Sequence, residues 1–195
     1  VAQDYAKAIN HFERSCTEKG VDKNWDGCFH LAEMYNKGQG IENSASLAMG
    51  LYGQLKKAND PRGFYGMASL YQTGRVVAKD LDISSEMYDN SCTGGYAPAC
   101  SKLGSMLINN SEIPNIPRGI KYVQMGCDKG DIEGCVQLGV LYYKGKGVKQ
   151  DFGKAKGLFE NACDANRGIG CYSLGTMFDK GQGVKSDKKK AFKLF

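Results

Sequence analysis

The sequence lacks several features that mark common classes of protein. It has no run of 18 apolar residues, so a transmembrane helix is not expected. It has only four prolines in 195 residues, which permits a mostly helical chain. Its only histidines are His11 and His30, and the C-x-x-C spacing of many zinc sites is missing. We therefore expect no metal, no cofactor and no insertion into a membrane.

The sequence is also poor in catalytic motifs. The S-x-x-K pattern of serine β-lactamases occurs once, from Ser186 to Lys189, but Asp187 within it fits a helix N-cap, and S-D-N and K-T-G are absent. We expect His11 to be a half-buried packing residue, and His30 has no serine or carboxylate motif beside it. The sequence therefore indicates no catalytic residue.

Instead, the chain contains a repeat of 35 or 36 residues, visible as an apolar residue followed by a small one. This marker occurs at Leu31-Ala32, Met67-Ala68, Leu103-Gly104, Leu138-Gly139 and Leu174-Gly175. A second series of small residues, each followed four positions later by a large apolar residue, marks another helix: Ala8, Ala48, Ser84, Gly119, Ala155 and Ala191. Four positions before each of these stands a residue of N-cap type: Asp4, Ser44, Asp80, Asn115, Asp151 and Asp187. Each repeat is therefore predicted to hold two helices.

These markers predict an all-α fold, an α/α superhelix or solenoid of helix-turn-helix repeats in a single array over residues 1–195. The turn between the two helices carries residues that tolerate positive φ: Asn59, Gly95, Gly130 and Asn166. The repeats run approximately over 4–43, 44–79, 80–114, 115–150 and 151–186, with a partial sixth over 187–195. Because the chain begins and ends inside a repeat, we expect a fragment of a longer array.

The eight cysteines follow the same register, one pair to a repeat in four repeats. The pairs are Cys16 with Cys28, Cys92 with Cys100, Cys127 with Cys135, and Cys163 with Cys171. A hairpin turn between two such positions brings the Cα atoms near disulfide distance, so we predict a disulfide within each of these repeats. Buried free thiols are the alternative. The second repeat has Lys56 and Phe64 at these positions and is expected to hold by packing alone. Disulfides imply an oxidising compartment, periplasmic or secreted.

The last two complete repeats carry the most specific pattern. Ala155 to Cys163 reads A-x-x-L-F-E-x-A-C, and Gly170 to Val184 reads G-C-x-x-L-G-x-x-[FY]-x-x-G-x-G-V. This pattern resembles Sel1-like repeats, and the cysteine pair resembles the Helicobacter cysteine-rich protein (Hcp) type. The resemblance implies a superhelix related to tetratricopeptide arrays with a disulfide bridging the helices of each repeat. It also implies a secreted bacterial protein, and some members have been described as penicillin-binding proteins or weak β-lactamases.

A protein or peptide ligand on the concave face of the solenoid is the preferred function. The column two positions before the first cysteine would supply hydrogen bonds to it: Arg14, Gln54, Asn90 and Asn161, interrupted by Met125. The alternatives are a β-lactam or peptidoglycan-like small molecule, bound or weakly hydrolysed, and a structural role in the envelope. The charge of +5 is spread over loop lysines, so we expect no nucleic-acid partner, and we expect a monomer.

Overall fold

The computed structural model describes residues 4–17, 24–39, 44–109 and 114–195, and these ranges contain eleven α-helices. In chain order they are α1 (Tyr5–Thr17), α2 (Trp25–Lys37), α3 (Ala45–Lys57), α4 (Pro61–Thr73), α5 (Leu81–Thr93), α6 (Ala97–Asn109), α7 (Ile116–Asp128), α8 (Ile132–Lys144), α9 (Phe152–Asp164), α10 (Gly168–Lys180) and α11 (Lys188–Leu194). The predicted all-α, helix-turn-helix repeat fold is confirmed. Odd-numbered helices are the first helices of the repeats, and even-numbered helices are the second.

The chain divides into two compact units, one ending at Tyr96 and the other beginning at Ala97. The first contains α1–α5 and the second α6–α11. In the first unit, Tyr52 and Leu55 of α3 are buried together with Phe29 of α2 and Leu70 of α4. In the second unit, a core around Phe159 joins side chains of α8, α9, α10 and α11.

Most of the predicted helix starts are capped by the expected side chains. Oδ1 of Asp80, Asp151 and Asp187 each accepts from a main-chain N–H three residues later at 2.9 Å. Asn115 and Asp4 form the same bond at 3.2 and 3.1 Å. Ser44 precedes α3 but makes no side-chain capping bond, so this predicted cap is wrong. Asn115 has the same ψ of 73° as Ser44 and does form the bond, so the backbone angle does not account for the difference.

The turn residues behave as predicted. Asn59 and Asn166 have φ of 58° and 57°, and Gly95 and Gly130 have φ of 100° and 91°. This left-handed conformation ends the first helix and reverses the chain without steric cost for these residue types. The second helix of each repeat therefore runs back against the first.

Gly139 shows how neighbouring repeats pack. A Cβ atom at this position would lie 2.6 Å from a ring carbon of Phe159, the large apolar residue of the next first helix. Phe159 is only 2% exposed. The missing side chain thus provides the space that the phenyl ring fills, as the sequence pattern predicts.

Candidate functional site

Disulfides join the two helices in four of the repeats. The Cα–Cα distance is 4.9 Å for Cys16–Cys28 and 4.5 Å for both Cys127–Cys135 and Cys163–Cys171. Cys92 and Cys100 are disulfide-bonded as well. The predicted disulfides within repeats are therefore confirmed, and the alternative of free thiols is wrong. Helices joined in this way hold their surface side chains in a fixed arrangement.

The second repeat, which lacks cysteines, is predicted to be held together by packing alone. The structure shows an additional contact between its two helices. Lys56 lies with its ammonium group 5.3 Å from the ring centroid of Phe64, a cation–π distance. This pair occupies the two positions where the other repeats have cysteines. A cation–π interaction therefore joins the two helices at the positions where other repeats have a disulfide.

The predicted binding column lies on the surface. Arg14, Gln54, Asn90 and Asn161 are all exposed on first helices. Arg14 lines an open surface of α1 together with Lys7 and His11, whereas Gln54 lines a groove farther along the unit. The structure therefore does not bring Arg14 and Gln54 to one pocket, and their role in binding stays a prediction.

The groove beside Gln54 lies between α1 and α3, above α2, and is called here the α1/α3 groove. Its volume is about 450 Å³. It is lined by Glu13, Leu31, Tyr35, Ser46, Leu47, Gly50, Leu51 and Gln54. Leu31 is buried at its base, while Leu47 is 53% exposed on its wall. Leu31, Leu47 and Leu51 thus give one concavity a largely apolar lining, which is typical of ligand-binding sites.

Polar groups give this groove a defined edge. The Tyr35 hydroxyl donates to Oε1 of Glu13 at 3.0 Å, which joins α2 to α1. Burial, reinforced by the neighbouring Glu13 carboxylate, raises the pKa of Tyr35. Tyr35 is therefore a neutral hydrogen-bonding group throughout the physiological pH range. The groove combines apolar walls with fixed acceptor oxygens.

Sequence reasoning missed Leu47, although the repeat register contains a signal for it. The equivalent positions in other repeats are Lys7, Ile83, Arg118, Lys154 and Lys190. A column that carries a cation in four repeats carries an apolar residue at Leu47. Comparing the chemistry of one column across repeats would have indicated this surface.

The residues considered for catalysis do not form a catalytic arrangement. The Ser186 hydroxyl donates to the main-chain oxygen of Asp179 at 3.3 Å, and Lys188, not Lys189, forms an ion pair with the Asp179 carboxylate at 2.7 Å. His30 stacks on Phe12 with 5.3 Å between ring centroids. His11 is exposed rather than half-buried, so that prediction is wrong. It lies on an outer face of α1 beside Lys7.

Two absences concern only the described ranges. No three His, Cys, Asp or Glu side chains in them are grouped so that they could hold a metal ion. Their helices are also too short or too polar to span a bilayer.

Comparison with known proteins identifies the repeat. A family model described as Sel1 repeat matches residues 1–19, 25–60, 97–131, 132–166 and 168–195. The chain belongs to the Sel1 repeat family. The stretch outside these matches between residues 60 and 97 contains α4 and α5, and thus the part of the second repeat where Phe64 replaces a cysteine.

Relatives of this Sel1 repeat chain include cytochrome c oxidase assembly factor 7 of Xenopus tropicalis, which is 25% identical over 83% of this chain and 72% of its own length. A Sel1 repeat protein from Oxalobacter formigenes has a similar structure, with a TM-score of 0.79 and 22% identity over 96% of this chain and 81% of that chain. Cysteine rich protein B of Helicobacter pylori has a TM-score of 0.52 and 21% identity over 69% of this chain and 97% of that chain. At these identities the solved structures establish the shared fold.

Proposed function

We propose that this Sel1 repeat chain is an exported or periplasmic scaffold that binds a protein or peptide partner on the face formed by its first helices. The observation that carries the proposal is the α1/α3 groove, where Leu47 is 53% exposed beside a concavity of about 450 Å³. Burying Leu47 against a partner removes apolar surface from water and favours association.

The chemistry of the groove suits a peptide. Leu47 and Leu51 offer apolar contacts, while the amide of Gln54 and the carboxylate of Glu13 offer hydrogen-bonding atoms to a main chain or a basic side chain. The hairpins that present these groups are fixed by packing and, in α1/α2, by Cys16–Cys28. Fixing the surface before binding lowers the entropy lost on association.

The cellular location follows from the crosslinks. Disulfides persist in oxidising environments, so the eight bonded cysteines indicate such a compartment. An oxidising compartment is the coarser conclusion, and export to the periplasm or beyond is proposed in addition. One relative is named as an assembly factor for an enzyme, and a partner that is itself a protein agrees with the scaffold role proposed here.

A selection experiment tests the proposal. The oxidised protein is used to select binders from a random peptide library, and the affinity of the selected peptides is measured for the wild type and for Leu47→Asp. We expect Leu47→Asp to weaken binding about tenfold or more, because a charged group replaces an apolar contact. Leu81→Asp is the matched control, since Leu81 is also exposed, at 41%, but does not line the groove.

Two results would contradict the proposal. One is the failure to select any peptide that binds the oxidised protein. The other is equal loss of affinity in Leu47→Asp and Leu81→Asp, which would mean that the groove is not the contact surface. The β-lactam alternative has no observation in its favour at Ser186. Saturable hydrolysis of a chromogenic β-lactam by the wild type, abolished in Ser186→Ala, would establish it instead.

A further inference from the structure

A second groove lies on the second helices of the other unit, where α6, α8 and α10 lie side by side. It has a volume of about 330 Å³ and is called here the α6/α8 groove. The polar residues considered below are Ser105, Asn109, Gln137, Lys144 and Lys146, and all of them line it. It belongs to different helices from the α1/α3 groove, so the two can be tested separately.

The floor of this groove is apolar. Val136 is 3% exposed and Leu141 is 7% exposed, and the half-buried Val140 lies between them in sequence. Ile169 of α10 extends the apolar lining outward and is 50% exposed. An aliphatic side chain entering the groove would therefore meet hydrocarbon on several sides.

Val140 makes this groove particular to one repeat. At the equivalent position the other repeats carry Glu33, Ser69, Ser105 and Thr176, all of them polar. Leu141 belongs to a column that is apolar in every repeat, so Val140 is the part of the floor that only this repeat supplies.

The rim of the groove offers hydrogen-bond donors. The Ser105 hydroxyl donates to Oε1 of Gln137 at 2.6 Å, and Nζ of Lys146 donates to Oδ1 of Asn109 at 3.2 Å. Each amide oxygen thus accepts one of these bonds, which orients the amide, and each amide nitrogen has two N–H groups that can donate to a ligand. An ammonium group has three N–H donors, so Lys146 can also bind a ligand while it holds Asn109. The exposed Lys144 adds a second cation.

Charge gives the groove a direction. Glu133 is the carboxylate among its lining residues and lies in the first turn of α8, whereas Lys144 ends the same helix. Eleven residues of helix separate them, or about 16 Å. An extended peptide of about five residues spans that distance. Its carboxylate end would lie at the lysines, and a basic residue would lie near Glu133.

We infer that the α6/α8 groove binds the C-terminal segment of a partner polypeptide, with an aliphatic last side chain on Val140 and the terminal carboxylate on Lys144, Lys146 and the Asn109 amide. The Gln137 amide lies farther along α8 and would donate to the main chain of the segment. Capture of a terminal carboxylate by converging donors is a known mode of peptide recognition. The acceptor-rich carboxylate matches a rim made of donors.

Synthetic peptides test this inference directly. The probe is acetyl-Lys-Gly-Ser-Ala-Leu with a free C-terminal carboxylate, compared with the same peptide ending in an amide, and binding to the oxidised protein is measured by calorimetry. We expect the carboxylate peptide to bind about tenfold or more tightly than the amide, because charge-assisted hydrogen bonds are lost in the amide. The double variant Lys144→Gln with Lys146→Gln should bind both peptides equally weakly.

Two further variants separate the site from general effects of charge and folding. Lys180→Gln is the matched control, because Lys180 is exposed, ends α10 as Lys144 ends α8, and does not line this groove. It should leave the affinity unchanged. Val140→Ser introduces the residue that two other repeats have at this position, so the fold should accommodate it. We expect it to weaken binding of the carboxylate peptide severalfold and to leave the circular dichroism spectrum unchanged.

Several outcomes would overturn the inference. These are equal binding of the carboxylate and amide peptides, loss of affinity in Lys180→Gln as large as in the double variant, and no binding of either peptide at millimolar concentration. Octanoate serves as a small carboxylate without a peptide chain. Tighter binding of octanoate than of the peptide would assign the groove to a small molecule and exclude the polypeptide terminus.

Discussion

The α3/α4 and α9/α10 hairpins both bring their helices into close contact, but with different side chains. In α9/α10, Cys163 and Cys171 form a disulfide with 4.5 Å between Cα atoms, and a Cβ at Gly170 would lie 2.8 Å from the main-chain nitrogen of Cys163. In α3/α4 there are no cysteines, yet a Cβ at Gly63 would lie even closer to the equivalent atom, the main-chain nitrogen of Lys56. In these two hairpins the glycine before the second cysteine position permits the close approach, and α3/α4 reaches it without a disulfide. The α5/α6 hairpin has Ala99 at this position and is crosslinked.

The uncrosslinked hairpin has other contacts at its turn. Nε of Arg62 donates to Oδ1 of Asp60 at 2.9 Å, and the same guanidinium pairs with Asp26 at the start of α2. Arg62 also lies over the Phe29 ring, 5.3 Å from its centroid. These contacts tie the start of α4 to the preceding repeat. The α9/α10 hairpin is therefore crosslinked by a disulfide, whereas the α3/α4 hairpin is held by a glycine contact, a cation–π pair and an ion-pair cluster.

The largest effect is expected from filling the glycine space. Gly63→Ala should lower the free energy of unfolding by about 3 kcal/mol, because the new Cβ would meet main-chain atoms of α3 that cannot move away independently. Urea unfolding followed by circular dichroism measures it. Gly53→Ala is the control, since a Cβ there meets nothing within 4 Å, and it should stabilise α3 by about 1 kcal/mol. Equal effects of the two substitutions would show that close approach is not what the glycine provides.

Removing the crosslink of the other hairpin should cost somewhat less. Cys163→Ala with Cys171→Ala should lower the free energy of unfolding by about 2.5 kcal/mol, because the unfolded chain regains the freedom of a short loop. Hydrogen exchange should show faster exchange in α9 and α10 than in the wild type. The α7/α8 hairpin keeps Cys127–Cys135 and serves as the internal control. Unchanged exchange in α9 and α10 would mean that packing alone accounts for the hairpin's stability.

Adding a crosslink to the α3/α4 hairpin tests the comparison in the opposite direction. Lys56→Cys with Phe64→Cys has the sequence separation of 8 found in Cys127–Cys135 and Cys163–Cys171. We expect a gain of about 2 kcal/mol in the oxidised protein, since the entropic gain exceeds the cation–π attraction that is lost. Unfolding with and without reductant gives the difference. Failure of the pair to oxidise would show that the α3/α4 geometry differs from that of the crosslinked repeats.

The repeat register made much of this predictable. The disulfide pairs, the positive φ of Asn59 and Asn166, and the packing of Phe159 on Gly139 follow from one register applied to every repeat. The register could not predict features that depend on a single repeat. The missing side-chain cap at Ser44 and the exposure of His11 are two such features.

A related reason explains why the sequence did not predict the two candidate grooves. Val140 differs from every other member of its column, and Leu47 differs from the four cations of its column, where only Ile83 is also apolar. A search for shared residues overlooks such differences. The donors around Val140 come from α6, α8 and the loop after α8, so their meeting depends on how neighbouring repeats pack. In a repeat protein, the shared residues determine the fold, and the departures indicate where function is to be sought.

The smallest expected effect concerns the pH dependence of the α3/α4 hairpin. Burial of Asp60 opposes its ionisation, but hydrogen bonds from the guanidinium and the main-chain N–H of Arg62 outweigh it and hold the pKa of Asp60 below its usual range. The unfolded carboxyl group has a pKa of about 3.9. A lowered pKa in the folded state gives stabilisation that is present above about pH 4 and is lost as the pH falls through the folded-state value.

Asp60→Asn isolates this contribution. The wild type should lose about 1 kcal/mol more of its free energy of unfolding than the variant between pH 5 and pH 2.5, because only the wild type must protonate this carboxylate. Arg62→Ala leaves the carboxylate but removes its partner, and it should show the same reduced pH dependence. If both variants followed the wild-type curve, the ion pair would contribute nothing measurable. The α3/α4 hairpin would then depend on its glycine contact and on the Lys56–Phe64 pair.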